Sequence, residues 1–130
     1  MDYERGYGTR MGKPLGLGRE QRIKQGRDFL RIKTEGKRFA SGCLIANWAS
    51  AIEARSRLGV ITGRKIGNAV IRSRARRLLR EAFRLHQREL CAPVDMVLIA
   101  RASIVGKHFR EVERDLLEAF RRGRLLKETE

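Results

Sequence analysis

Residues 57–102 narrow the fold more than any other part of the chain. "RLGVIT", from about Arg57 to Thr62, is a short apolar run suited to a strand. An i to i+3/i+4 stripe of Ile71, Ala75, Leu78, Ala82 and Leu85, flanked by Leu79 and Phe83, then predicts a helix from about Ala69 to Leu90, ended by Pro93. "DMVLIARA", from Asp95, is apolar without alternation, as a strand covered on both faces must be. Strand, helix, strand is a βαβ unit, so the chain reads as an α/β protein.

The flanking segments fit around that unit. "GRDFLRIKTEG" predicts a short helix from about Arg27 to Glu35, with Phe29 and Ile32 on one face and Gly36 as a left-handed C-terminal cap. "ASGCLIANWAS" predicts a strand from about Cys43 to Ala49. A last helix, from about Phe109 to Leu126, places Phe109, Val112, Leu116 and Phe120 at core-facing intervals. Residues 1–20 are rich in glycine and have no period, which predicts a flexible basic tail ahead of a single domain over 21–130.

Thirty Lys and Arg against fifteen Asp and Glu leave a formal charge of +15, and self-repulsion of that size points to a polyanionic partner. The charge is concentrated on the middle helix, where Arg72, Arg74, Arg76, Arg77, Arg80, Arg84 and Arg88 fill the arc outside the apolar stripe with Glu81 as the one acid among them. A solvated helix face normally carries i,i+4 pairs of opposite sign, each contributing about 0.2–0.5 kcal/mol. The last helix does so, setting Arg110, Arg114, Arg121 and Arg122 against Glu111, Glu113, Asp115 and Glu118. The middle helix instead stacks Arg72, Arg76, Arg80, Arg84 and Arg88 like upon like. Arginine outnumbers lysine here, and a planar guanidinium forks onto phosphate oxygens as an ammonium cannot. In "GRKIGN" the helix start, with Asn68 as N-cap and Arg64 and Lys65 beside it, also favours an anion, although Gly63 and Gly67 equally suit a tight strand-to-helix turn.

No HxxxH, CxxC or GxSxG occurs. His86 beside the apolar stripe reads as a half-buried packing residue, and Asp28 and Asp95 as capping or turn residues. Cys43 and Cys91 have no ligand spacing and read as buried, reduced thiols. The longest apolar run is far shorter than a membrane span and no signal-peptide pattern opens the chain, so a soluble, cytoplasmic protein is expected.

"GRKIGNAVIRSRARRLLREAF" resembles the signature of the bacterial ribonuclease P protein subunit: a basic pair, G-N-A-V, R-N-R, a second basic pair and R-E-A-F, in this order and spacing. "RDFLRIKTEGKRFA" resembles that family's first helix and turn, and "DMVLIARA" its late strand, so the resemblance spans roughly Gln21 to Leu126. It implies a compact two-layer α/β sandwich with a small mixed sheet and a left-handed βαβ crossover, where general statistics favour the right hand in about 98% of cases. It also implies that a partner RNA, with Mg²⁺ bound mainly by that RNA, removes the 5′ leader of precursor tRNA. The protein would bind both RNAs as a monomer within the ribonucleoprotein. Carried over by position, the RNA-binding residues are Arg64, Lys65, Asn68, Arg72, Ser73, Arg74, Arg76, Arg77 and Arg80, with Ser73 where the family has Asn.

The resemblance further implies a leader-binding cleft between the first helix and the sheet, lined in the family by aromatics. Phe29 keeps a ring, whereas Lys33 and Asn47 stand where rings are frequent, and Trp48 falls on the opposite strand face. Three other readings share the charge: a general RNA-binding or ribosome-associated protein, a basic helix lying on anionic membranes, and a nuclease with its own active site. The membrane reading needs large apolar residues on the exposed side of the helix, and the nuclease reading needs clustered acids and histidines.

Overall fold

The computed structural model describes residues 21–127, so the expected tail over residues 1–20 lies outside the described residues. Three helices, α1 (Gly26–Glu35), α2 (Ala69–His86) and α3 (Phe109–Arg122), accompany four strands, β1 (Lys37–Ser41), β2 (Leu44–Ser50), β3 (Arg57–Ile61) and β4 (Val94–Ala100). The sheet order is β1-β2-β4-β3, with β2 antiparallel to both its neighbours and β3 parallel to β4. The parallel pair with α2 between its members is the βαβ unit expected from the sequence, set in a mixed sheet.

Alternation along the strands divides the side chains between two faces. Leu44, Ala46 and Trp48 of β2, Leu58 of β3, and Val94, Met96, Leu98 and Ala100 of β4 pack with α2 and α3 into the main core. Phe83 of α2 and Phe120 of α3 meet edge to face there, 6.3 Å apart. On the other face α1 lies across the sheet and buries Ile32 against Val97 and Ile23, with Phe29, Ala49 and Ile99 around them. The Phe29 ring rests directly on Gly59, where a Cβ would come within 2.9 Å of it. β4 is therefore covered on both sides, as its unbroken apolar run requires.

Three local features differ from the sequence reading. β1 was not expected; it joins β2 through a two-residue turn, Gly42 and Cys43, in which Gly42 takes φ +55° as such a hairpin demands at its first position. Gly36 ends α1 in extended backbone (φ −89°, ψ 177°) and not in a left-handed cap, because the chain passes straight into β1. The α-helical part of α2 stops at His86, and a 3₁₀ turn, Gln87–Glu89, carries the chain on to Leu90.

The polar residues expected to be incidental are also placed differently. His86 is buried, with its ring nitrogens facing Glu89 and, at 2.7 Å, Glu113, so it ties the end of α2 to α3. Cys43 is buried, and burial followed by the Asp115 carboxylate pushes its thiol up to about 12. Cys91 is exposed, contrary to expectation, because it sits in the loop before β4. No disulfide joins them.

The apolar face of α2 is also rotated relative to the expected stripe. Ala75, Leu79, Ala82, Phe83 and Leu85 are buried, whereas Ile71 and Leu78 pack only at the margin of the core. Leu79→Ala should therefore cost about 2–5 kcal/mol in urea denaturation, the usual range for a fully buried leucine. Leu78→Ala should cost clearly less.

Candidate nucleic-acid interface

After β3 the chain turns through Thr62 and Gly63 into a short 3₁₀ helix, Arg64–Ile66, whose Ile66 is buried while Arg64 and Lys65 point outward. Gly67 follows at φ +155°, where a Cβ would lie within 3.0 Å of the Ile71 side chain. Asn68 caps α2 as expected: its side-chain oxygen accepts from the Ile71 N–H at 3.0 Å. The capping oxygen thus holds the helix start, and the exposed amide nitrogen beside it remains able to donate.

From this start α2 presents a ridge of cations. Arg74 and Arg77 are exposed, and Arg74 donates to the Lys107 carbonyl at 2.9 Å, which steers its guanidinium along the surface. Arg76 donates to Thr62 Oγ1 at 2.7 Å and Ser73 Oγ at 3.0 Å, so Ser73 orients an arginine. Arg72 is half-buried, and its Nε lacks a hydrogen-bond partner. Arg80 is half-buried, and its guanidinium is pulled below its ordinary pKa by burial and then by Arg22 and Arg76 nearby. Glu81, the one acid in α2, is taken by Arg84 at 2.5 Å. Among the described residues no carboxylate forms a salt bridge with Arg64, Lys65, Arg72, Arg74, Arg76, Arg77 or Arg80.

The expected cleft residues are brought together less completely. Phe29 is half-buried on Gly59, and Lys33 is exposed one turn further along α1. Asn47 is not accessible to a ligand: it is buried, and its amide nitrogen donates to the carbonyls of Lys37 (2.8 Å) and Ile32 (3.2 Å), tying α1 to β1. What the open part of this face does present is aliphatic. Ile45, Ile99 and Ile61 are register partners across β2, β4 and β3, and Ile61 is exposed. Helical spacing puts Phe29 and Lys33 on one flank of α1 and Asp28 and Arg31 on the other.

Asp28 and Arg31 belong to a cluster that the sequence reading missed. Asp95 is no turn residue: it lies inside β4, fully buried, with Arg57 Nε at 3.1 Å from one carboxylate oxygen and Arg57 Nη2 at 2.9 Å and Arg31 Nη2 at 2.5 Å from the other. Arg57 also reaches Asp28 at 3.3 Å, and its hydrogen bonds to Asp95 hold its guanidinium above its ordinary pKa despite burial. The signal for this cluster was present in the sequence as a lone acid in an otherwise apolar strand. Asp95→Ala removes the carboxylate that Arg57 and Arg31 share and should cost about 3–5 kcal/mol in denaturant melts, with α1 losing amide-exchange protection before α2 and α3.

Among the described residues no group of three His, Cys, Asp or Glu side chains is placed to hold a metal ion, and no helix is long and apolar enough to cross a membrane. Fold and ridge together define a small α/β protein with one strongly cationic helix face. A family model described as Ribonuclease P matches residues 17–124. The ribonuclease P protein component of Desulfatibacillum aliphaticivorans is 45% identical over 64% of this chain and 70% of its own length. That of Desulfosudis oleivorans is 36% identical over 81% and 87%. Among solved structures, the RNase P protein of Staphylococcus aureus matches with a TM-score of 0.74 at 26% identity, covering 82% of this chain and 98% of that one. The Thermotoga maritima RNase P protein matches with 0.70 at 30% identity, covering 78% and 96%. The chain belongs to the bacterial ribonuclease P protein family, the protein component of an endoribonuclease that processes tRNA.

Proposed function

We propose that this chain binds the catalytic RNA of ribonuclease P through the ridge of α2 and its preceding loop, and holds the 5′ leader of precursor tRNA on the open sheet face beside α1. The observation that carries the reading is the run of Arg64, Lys65, Arg72, Arg74, Arg76, Arg77 and Arg80, which match the family motif and have no carboxylate partner among the described residues. Phosphates supply the missing counter-charge, and guanidiniums bind them by paired, charge-assisted hydrogen bonds. Cleavage chemistry and its Mg²⁺ belong to the RNA; the chain's part is to position and to neutralise. Mg²⁺ bound by the RNA would polarise the scissile phosphate and activate water.

The leader surface supports a specific mode of grip. Unpaired bases commonly stack on rings, each contributing about 1–3 kcal/mol. Here Phe29 is half-occupied by Gly59, and the Ile45, Ile99 and Ile61 row offers apolar contact without a π-face. Lys33 adds a cation at the flank, so charge takes a larger share of leader binding than stacking does.

Reconstitution with the organism's ribonuclease P RNA and a precursor tRNA at near-physiological Mg²⁺ tests both surfaces. The protein should stimulate leader removal only when the RNA is present. Arg72→Ala, Arg74→Ala and Arg77→Ala should each weaken protein–RNA association by roughly tenfold without changing the melting curve, as loss of a charge-assisted phosphate contact implies. Unchanged RNA affinity in all three would remove the ridge from the interface. Separately, Lys33→Ala should flatten the salt dependence of precursor-tRNA binding by about 0.7 in log–log slope, while Ile99→Ala lowers affinity at constant slope. Equal effects on a leaderless tRNA would show that the leader does not cross this face.

A further inference from the structure

The start of the described chain adds a cation that the helix motif does not contain. β3 is an edge strand of the sheet, and residues 21–23 run alongside it. Ile23 N–H donates to the Leu58 carbonyl at 2.9 Å, and Arg22 forms a parallel bridge with Leu58. Gln21 and Ile23 are buried, whereas Arg22 between them is exposed. Gln21 Nε2 donates to Gln87 Oε1 at 3.2 Å, which fixes the segment against the end of α2. Gln87 follows Arg80 by two helical turns and Arg76 precedes Arg80 by one, so all three share the flank of α2 that faces this segment. Arg76 is already oriented by Thr62 Oγ1 and Ser73 Oγ.

Three guanidiniums from two parts of the chain thus converge beside the edge of the sheet. Among the described residues none of them forms a salt bridge with a carboxylate. Burial and the nearness of Arg22 and Arg76 disfavour the charged form of Arg80, the electrostatic signature of a cluster that lacks its counter-ion. Lysine would relieve such a cluster by releasing a proton, but an arginine stays charged and needs an anion.

We propose that Arg22, Arg76 and Arg80 form a site for one phosphodiester group of the RNA held on α2. This rests on the RNA-binding reading above and extends it beyond the helix motif to the segment docked on β3. One phosphate oxygen pair can accept from two guanidinium forks at once, so the site staples residues 21–23 to α2 through the RNA backbone.

The test measures association with the organism's ribonuclease P RNA across a monovalent salt series at fixed Mg²⁺. Variants are Arg22→Ala, Arg80→Ala, the double variant and Arg22→Lys, with Arg110→Ala on the exposed side of α3 as control. Arg22→Ala leaves the backbone bonds of its segment in place, and circular dichroism melts verify the fold. Each single alanine variant should lose roughly tenfold in affinity and flatten the log–log salt slope by about 0.7–0.9, the share of one phosphate. The double variant should flatten the slope no more than either single, because the two residues share one phosphate, and Arg22→Lys should recover most of it. Wild-type slope and affinity for Arg22→Ala, alongside a loss for Arg74→Ala, overturns the site and leaves the ridge standing. Additive slope losses overturn it as well, since they mean separate phosphates. Failure of the unaltered protein to bind the RNA would instead overturn the underlying reading. Melts in inorganic phosphate against chloride at equal ionic strength separate the two sources of anion. If phosphate stabilises the unaltered protein and not Arg22→Ala while the RNA slopes are the same, the site serves free phosphate and the assignment to RNA is wrong.

Discussion

The carboxylate of Asp95 sets the rest of the molecule in place. It sits without solvent exposure in the strand that both sheet faces cover, where an unpaired charge costs several kcal/mol. Arg57, its register partner on the adjacent β3, forks onto both of its oxygens, and Arg31 from α1 takes a second bond to one of them. Asp28, one turn before Arg31, closes the network through Arg57. α1 is thereby fixed in rotation as well as position, with Ile32 turned to Val97 and Phe29 to Gly59. A helix held at the Asp95 end of the face leaves the other end open, and that opening exposes Ile61 and part of the row beside it.

Acidic side chains elsewhere have internal tasks too. Asp115 accepts from the Cys43 N–H and holds the β1–β2 turn; Glu113 and Glu89 flank His86; Glu118 pairs with Arg121 along α3, and Glu111 with Lys107 just ahead of it. Glu81 spends its charge on Arg84. The first three turns of α2 are left with cations alone. Each like-charged i,i+4 pair there opposes the helix by a few tenths of a kcal/mol, a load carried by the burial of Leu79, Ala82 and Phe83 on the opposite side. The core thus holds in place a charge pattern that no carboxylate among the described residues balances, and in the proposed function a polyanion completes it.

Sequence periodicity made α2, α3 and β4 legible, because their apolar residues recur at the intervals that a helix or a doubly covered strand dictates. It did not fix the rotation of α2: a stripe through Leu78 and one through Leu79 satisfy the same spacing, and only the packing of Phe83 against Phe120 decides between them. β1 escaped because "KRFAS" is a five-residue edge strand with charged exposed positions, although Gly42 and Cys43 before "LIANWAS" carried a hairpin signal. The arginines of the ridge were readable from one-signed charge. Asn47 was not, since its role as a tie to Ile32 and Lys37 depends on where α1 lands. Arg22 was equally silent, for nothing local says that its segment would dock beside Leu58.

The two proposed RNA surfaces are joined by the end of β3. Ile61 is exposed on the open face, and the next residue, Thr62, accepts a hydrogen bond from Arg76 on the ridge. Arg64 and Lys65 follow directly, raised on a 3₁₀ turn whose Ile66 is anchored in the core. A strand of RNA lying on the isoleucine row and a second RNA lying on α2 would therefore approach each other across a few residues of one loop. The anchoring of Ile66 matters because the backbone that carries these two cations is already ordered, so less of what they gain by lowering the repulsion between two phosphate backbones is lost to entropy. In the proposed function the protein acts at this junction, where two polyanions must be brought together and neither can supply the counter-charge.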